Sequence, residues 1–420
     1  MRPLSHLHNA LWIVLALGLL ACDDDKDSAT TTDAAVPDET DTDADSGEET
    51  PTESESDASV DTDASDGTGG ESSSDPSTSS YDFSAFDKTI AAYIADNELA
   101  GASAVVVDAE AGEVYIKGYG SFSEDRDYLI ASGSKVLSAG VLVHLADQGL
   151  LNLDDAISTY LGAWGTYKTD ITVAQLLSNS SGLLSLTDNP FYIPYVCQYS
   201  RDLGSLSDCG QQIYQAEDED DRITPDTEFR YGGAQWQLAG AIAEAVSGLA
   251  WDDLLEDTYR SPCGTASLGY TNHYQDTGGV GYPSYMDGDS STLYETDNPN
   301  IEGGAYINVR DYGKILLMHL RGGTCDDEVV LEPTSVQRMQ ENRIASVYGG
   351  TTGDADLDGY GLGWWMSTAT PGVVLDPGAY GAVAYLDMNA GFGVFIAVED
   401  GSGGDLFAAT YPTVLDALSQ

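Results

Sequence analysis

Ile130-Ala131-Ser132-Gly133-Ser134-Lys135-Val136-Leu137 opens an apolar helical pattern that runs to about Gln148, with Gly149 as its stop. Inside it, Ser132 and Lys135 form a Ser-x-x-Lys tetrad. A serine at a helix start meets free backbone N–H groups and the positive end of the helix dipole. A lysine three residues on lies on the same face, so its ammonium comes within hydrogen-bond reach of the serine oxygen. A serine hydroxyl is a poor nucleophile until a neighbour takes its proton. Lysine helps only if burial or a nearby cation lowers its pKa. The chain has six lysines, and Lys135 alone has a serine three positions before it. The plainer reading is an N-cap serine followed by a solvated lysine, and the surroundings must decide.

Upstream, Tyr81 to Ala100 predicts a helix, with Phe83, Phe86, Ile90, Tyr93 and Ile94 near helical spacing. Ser103-Ala104-Val105-Val106-Val107-Asp108, the turn at Ala109-Glu110-Ala111-Gly112 and the alternating Glu113 to Tyr119 predict a β-hairpin. Downstream, Leu151–Leu161 and Ile171–Leu177 continue the helical region, and Asn179-Ser180-Ser181-Gly182 breaks it. Residues 187–226 read as a long polar excursion and 253–300 as loop-rich. Ala234–Val246 and Gly303–Leu320 read as helices. Gly361–Met366, Ala382–Leu386 and Gly393–Val398 read as strands, and a helix over Tyr411–Leu418 closes the chain. Strands at both ends with helices between predict an α+β fold: an antiparallel sheet built from both chain ends, packed by helices, with a mostly helical insert.

The N-terminal part has another character. Residues 1–21 read as a secretory signal: Arg2, then an apolar run from Ala10 to Leu20 too short to span a bilayer comfortably. Leu19-Leu20-Ala21-Cys22 looks like a lipoprotein box, with Cys22 carrying the lipid and anchoring the chain to a membrane. Asp23 directly after it resembles an inner-membrane retention signal. Residues 22–80 are expected to be a disordered acidic tether, since 23–80 hold 20 Asp and Glu against Lys26. Residues 81–420 form the third part, the folded domain. The expected location is the bacterial cell envelope, periplasm-facing or on the outer surface.

With 70 acidic and 16 basic residues the net charge is -54. Such a chain lacks the basic patches that nucleic-acid binding needs. Beyond Cys22, four cysteines allow three pairings. In an oxidising compartment the expected pairs are Cys197–Cys209 and Cys263–Cys325, and four reduced thiols are the alternative. No Cys-x-x-Cys occurs, which argues against zinc; no metal and no cofactor is expected. Asp354-Ala-Asp-Leu-Asp-Gly359 matches half of a calcium loop but lacks its closing glutamate, so it reads as an acidic turn, with weak calcium binding as the alternative. No Gly-x-Ser-x-Gly elbow occurs. His144 and His319 lie on helical patterns and read as structural.

Several blocks then line up in order. Ile130–Leu161, with Gly149-Leu-Leu-Asn-Leu-Asp-Asp155, resembles the nucleophile helix and following segment of serine β-lactamase and penicillin-binding-protein relatives. Ile171–Leu183, Phe229-x-Tyr231 with Gln237-Leu-Ala-Gly240, Gly303-Gly304 with Asp311-Tyr312, and Tyr360-Gly-Leu-Gly-Trp364 resemble later blocks. The resemblance covers about 85–415 and is closest to class C β-lactamases, D-alanyl carboxypeptidases and esterases of that fold. It implies a β-lactamase/transpeptidase-like fold and an acyl-enzyme mechanism. Ser132 would be the nucleophile, Lys135 would hold or take its proton, and Tyr231 would be the general base, tuned towards phenolate by Lys135. The N–H groups of Ser132 and Ala379 would form the oxyanion hole.

Two positions depart from the pattern. The Tyr-x-Asn motif reads Tyr231-Gly232-Gly233, without the asparagine that donates to substrate amides. The Lys-Thr-Gly or His-x-Gly motif reads Asp376-Pro377-Gly378, with an acid where a cation would bind a substrate carboxylate. Gly233, Asp376 and Gly378 are thus the expected substrate-binding positions. The change disfavours β-lactams and D-Ala-terminated peptides and tilts the expectation to an esterase on a small-molecule or peptidoglycan-like acyl substrate. The alternative is a non-catalytic surface binding protein that retains the fold.

Overall fold

The computed structural model describes residues 81–185, 189, 192–277, 281–401 and 405–419. The expected signal peptide, lipidated Cys22 and acidic tether lie outside the described residues. Elements are numbered along the chain as they are introduced.

Helix α1 (Ser84–Asp96) leads into strands β1 (Gly101–Asp108) and β2 (Gly112–Gly120), the predicted hairpin. The sheet is completed from the other end of the chain. Strands β8 (Gly359–Tyr360), β9 (Trp365–Met366), β10 (Val373–Gly378), β11 (Ala382–Asp387) and β12 (Phe392–Ala397) join it in the order β2-β1-β12-β11-β10-β9-β8, all neighbours antiparallel. Strand β1 pairs with β12, placing Val105 opposite Phe395. Both sheet faces are covered, which explains why β1 reads as an unbroken apolar run. Val105 and Val107 face the large core, while Ala104 and Val106 face a smaller one with Phe86 and Ile90 of α1. Helix α10 (Leu406–Leu418) closes that smaller core with Leu406 and Val414.

Helix α2 (Ser134–Asp147) is buried along nearly its whole length. It packs in the large core with α5 (Ala234–Ser247) and α7 (Val309–Leu320). Before it, Tyr128–Leu129 (β3) pairs with Ala305–Ile307 (β5), which also pairs with Gly269–Tyr270 (β4). The insert includes α3 (Val173–Leu177), α4 (Leu206–Tyr214) and α6 (Trp251–Leu255). Between α7 and β8 lie the small hairpin of β6 (Thr324–Cys325) and β7 (Glu328–Val329), then α8 (Pro333–Gln340) and α9 (Arg343–Tyr348). Both expected disulfides form: Cys197–Cys209 braces α4, and Cys263–Cys325 ties the end of the insert to β6.

Local physics corrects several sequence expectations. Gly303–Leu320 is not one helix: Ala305–Ile307 is a strand, and Asn308 caps α7 by accepting the Asp311 N–H at 2.9 Å. The polar excursion contains α4, announced by a Ser205/Asp208 capping box. Leu151–Leu161 supplies only a short 3-10 turn at Ile157–Thr159. Gly361–Trp364 is the turn between β8 and β9 rather than strand. The last helix starts at Leu406, with Pro412 inside it. Asp354 Oδ1 accepts the N–H groups of Asp356 and Leu357, both at 2.9 Å, so this carboxylate closes an acidic turn.

Candidate active site

The tetrad does not begin an ideal helix. Ala131–Gly133 is a 3-10 turn, and Ala131 sits at φ 45°, a strained conformation for a residue with a Cβ. Three bonds hold it. Ser134 Oγ donates to the Ala131 carbonyl at 2.6 Å, the Ala305 N–H donates to Ser134 Oγ at 2.9 Å, and the Ile130 N–H donates to the Ala305 carbonyl at 3.0 Å. The β3–β5 pair therefore sets the position of Ser132. Ser132 remains partly exposed, whereas Lys135 is 0% exposed.

The structure brings Ser132, Lys135 and Tyr231 together. Lys135 Nζ donates to Ser132 Oγ at 3.2 Å and to the Glu302 carbonyl at 3.0 Å; it lies 3.4 Å from Glu302 Oε2 and 4.6 Å from the Tyr231 ring centroid. Burial alone would push the Lys135 ammonium down, but Tyr231 and Glu302 more than reverse this and hold it above its ordinary value. Tyr231 goes the other way from the expected tuning. Burial raises its phenol above the usual value, against the downward pull of the Lys135 charge and of hydrogen bonds with Ser132 and Lys135. Lys135 and Tyr231 thus form one pair around Ser132, in which the ammonium favours the phenolate and the phenolate favours the ammonium.

Asn179 places Tyr231. Its Oδ1 accepts from Gln235 Nε2 at 2.7 Å and Trp236 Nε1 at 3.2 Å, and its carbonyl accepts the Arg230 N–H at 2.7 Å. That is the physical content of the Asn179–Gly182 break. Phe229, Tyr360 and Trp365 surround the Tyr231 side, with ring centroids 5.1–6.2 Å apart.

The three expected substrate-binding positions are placed differently from that expectation. Asp376 is 1% exposed, and its Oδ2 accepts the Val136 N–H at 3.3 Å, so it caps α2 from strand β10. Burial pushes its carboxyl well above the usual range, against the pull of Lys135. Gly378 is a close-approach position: a Cβ there would lie 2.0 Å from the Ile130 carbonyl oxygen. Gly233 is buried, and a Cβ there would lie 2.1 Å from both Gln198 Oε1 and Glu302 Oε1. The absent asparagine has had its space taken by other side chains.

Ala379 follows Gly378 in the turn before β11 and is partly exposed, and Ser132 lies in the first turn before α2, where N–H groups lack helical partners. Tyr380 beside Ala379 is fixed by His273, whose Nε2 lies 2.6 Å from the phenol oxygen. Burial pushes His273 down to about 4, so it is neutral near pH 7. Sequence reasoning missed His273, Gln198 and Glu302. Only Glu302 left a signal, as an acid directly before Gly303-Gly304.

A partly exposed serine hydroxyl bonded to a buried lysine, beside a phenol at the edge of an antiparallel sheet, defines a serine hydrolase of the acyl-enzyme type. The Beta-lactamase family model matches residues 86–419, and the chain belongs to that family. It is similar to penicillin-binding protein 4 of Amycolatopsis lactamdurans, 24% identical over 322 residues, covering 72% of this chain and 80% of the relative. Among solved structures it is similar to the octameric penicillin-binding protein homologue from Pyrococcus abyssi (TM-score 0.59, 20% identity, 79% of this chain and 76% of that one). It is also similar to EstCE1, a hydrolase with promiscuous acyltransferase activity (TM-score 0.61, 18% identity, 80% and 99%).

Proposed function

We propose that this protein is a lipid-anchored esterase of the bacterial cell envelope, held by Cys22, that hydrolyses uncharged acyl esters through an acyl-enzyme on Ser132. The observation that carries this reading is the 3.2 Å bond from buried Lys135 Nζ to Ser132 Oγ. The reactive form is the Tyr231 phenolate held beside the Lys135 ammonium. Ser132 Oγ attacks the ester carbonyl, its proton passes to the Tyr231 oxygen, and Tyr231 returns that proton to the departing alkoxide. Water then attacks the acyl-enzyme by the reverse proton path, releasing the acid. The N–H groups of Ser132 and Ala379 receive the developing oxyanion.

Ester preference over β-lactam or D-Ala-terminated peptide rests on charge. The Glu302 carboxylate lies 3.4 Å from Lys135 Nζ, and Asp376 stands where the receiving cation would be, so a substrate carboxylate entering here finds an anion and no free cation. The aromatic side chains around Tyr231 suit an apolar acyl or aryl group. EstCE1, similar in fold, is described as a hydrolase with acyltransferase activity, which is compatible with this chemistry.

The test is a fluorophosphonate probe with peptide mapping, alongside turnover of a short-chain nitrophenyl ester. A single adduct on Ser132, with ester turnover lost in Ser132→Ala, is expected. No adduct on the folded protein, or equal turnover by the variant, sinks the enzyme reading and leaves a binding role for the fold.

A further inference from the structure

The empty side-chain position at Gly233 and the carboxylate of Glu302 are one feature. A Cβ on residue 233 would lie 2.1 Å from Glu302 Oε1 and 2.4 Å from its carboxyl carbon, with Gln198 Oε1 also at 2.1 Å. No residue larger than glycine fits while Glu302 keeps this rotamer. Glu302 is 5% exposed, and its two oxygens have separate partners: Oε1 accepts from the Tyr199 phenol at 3.2 Å, and Oε2 lies 3.4 Å from Lys135 Nζ. Its backbone carbonyl takes a second bond from the same ammonium at 3.0 Å. One residue thus addresses Lys135 twice, from a loop that the adjoining strand β5 pins to the nucleophile turn.

We propose that Glu302 is the positioning residue of this active site: it fills the place of the missing asparagine at 233 and serves as the counter-ion that keeps Lys135 an ammonium while Ser132 and Tyr231 exchange the proton. This deepens the esterase reading and rests on it. A buried ammonium with no anion partner loses its proton readily. Without its charge Lys135 could no longer hold the Tyr231 phenolate. The titratable groups facing Lys135 are Tyr231 from the loop before α5, Glu302 from the loop before β5 and Asp376 from β10. Behind them stand Tyr199 and Tyr274 on the Glu302 side, and Tyr360, Tyr270 and Tyr312 on the Asp376 side. Asp376 is the other acid of this set; its Oδ2 accepts the Val136 N–H, and it acts on Lys135 less than Glu302 does. Tyr231 acts on Lys135 more strongly still, but it is itself a party to the proton transfer, so the counter-ion that stays in place through the reaction is Glu302.

The experiment is the pH profile of kcat/KM for nitrophenyl ester turnover, measured on the whole protein for wild type, Glu302→Gln and Glu302→Asp. The alkaline limb reports loss of the Lys135 proton. It should move down by about one to two pH units in Glu302→Gln and stay near its wild-type place in Glu302→Asp, which keeps the charge. A packing role alone would lower the amplitude of both variants without moving the limb, and that result overturns the proposal. A second variant guards against a misfolded Glu302→Gln: Gly233→Asn, whose side chain must push Glu302 Oε1 aside, should lose about ten-fold or more in kcat/KM and move the alkaline limb down in the same direction. Gly233→Asn tolerated at the wild-type rate overturns the shared-space argument. Fluorophosphonate labelling separates the two claims: an unlabelled wild type fails the esterase reading, whereas a labelled wild type with an unmoved limb fails the role of Glu302 alone.

Discussion

Among the described residues two lysines are buried, and they live differently. Lys168, with 3% of its side chain exposed, meets both oxygens of Asp218 at 2.7 Å and the Ala216 carbonyl at 3.2 Å. Asp218 is itself 0% exposed in its side chain and also accepts the Tyr195 phenol. Burial still pushes Lys168 below its ordinary value, against Asp218. Lys135, 0% exposed, has a carboxylate oxygen only at 3.4 Å and spends another bond on a serine hydroxyl. The first ammonium is saturated by a single bidentate partner and can do nothing except hold the insert together. The second is left short of a close anion, and its remaining bonding capacity is directed at Ser132. An ion pair built for anchoring is closed; one built for chemistry is left open towards the reacting atom.

The contrast can be broken by substitution. The largest effect is expected at the open end: Ser132→Ala should lower ester turnover by about 10⁴-fold or more with the unfolding midpoint nearly unchanged. Lys135→Met should cost about 10³-fold in turnover. Lys168→Met should do the reverse. It should lose about 2–4 kcal/mol in denaturant unfolding, because Asp218 is left buried with only the more distant Arg222, 3.8 Å away, for a cation, while the folded fraction labels at the wild-type rate. If folded Lys168→Met fails to label, the anchoring and the catalytic lysine are not separable.

The disulfides sharpen the same division. Cys263–Cys325 closes 62 residues and Cys197–Cys209 closes 12. Replacing the first pair by alanine should cost about 2–4 kcal/mol of stability and leave kcat untouched. Replacing the second should cost less stability, yet slow turnover several-fold, since Gln198 and Tyr199 follow Cys197 directly and pack on Glu302. The check is the midpoint of denaturant unfolding beside kcat for each double variant. Equal kinetic effects of the two would remove the link from Cys197 to the site.

What could be read in the sequence follows from range. Ser132 and Lys135 are three residues apart on one helical turn, so local spacing exposed them. The hairpin of β1 and β2 was legible because its turn is local too. Tyr231 was reached by resemblance to a family block, not by spacing. Lys168 and Asp218 are 50 residues apart and gave no pattern. Glu302 is 167 residues from Lys135, and its meaning depends on the space left by Gly233. Strand β10 escaped because Pro377 and Gly378 interrupt the strand pattern of Val373-Val374-Leu375. The structure tolerates Pro377 there because β9 pairs only with Val374 and Leu375, leaving the proline at an open edge. The capping box at Ser205 was legible but was lost within a polar stretch.

The smallest expected effect falls on the residue lying between these two kinds of burial. Asp376 is as enclosed as Asp218, but in place of a salt bridge it has the Val136 N–H at 3.3 Å, and its Oδ1 has no hydrogen-bond partner. Burial raises its carboxyl well above the usual range, so the native state binds a proton that the unfolded chain has already released. Stability from this residue is therefore complete below about pH 4, the ordinary carboxylate value, and declines as pH rises from there towards the raised native value. Asparagine keeps an oxygen for Val136 and carries no charge to desolvate. Asp376→Asn should thus gain about 1 kcal/mol at pH 7 and flatten the fall in melting temperature between pH 4 and 7. Turnover should change much less than in Glu302→Gln, because the nearer anion on Lys135 remains. A variant less stable at pH 7 than the wild type would mean that the Asp376 charge is stabilised in place. It would then belong with Asp218 among the anchors rather than with the groups that burial keeps proton-hungry around Ser132.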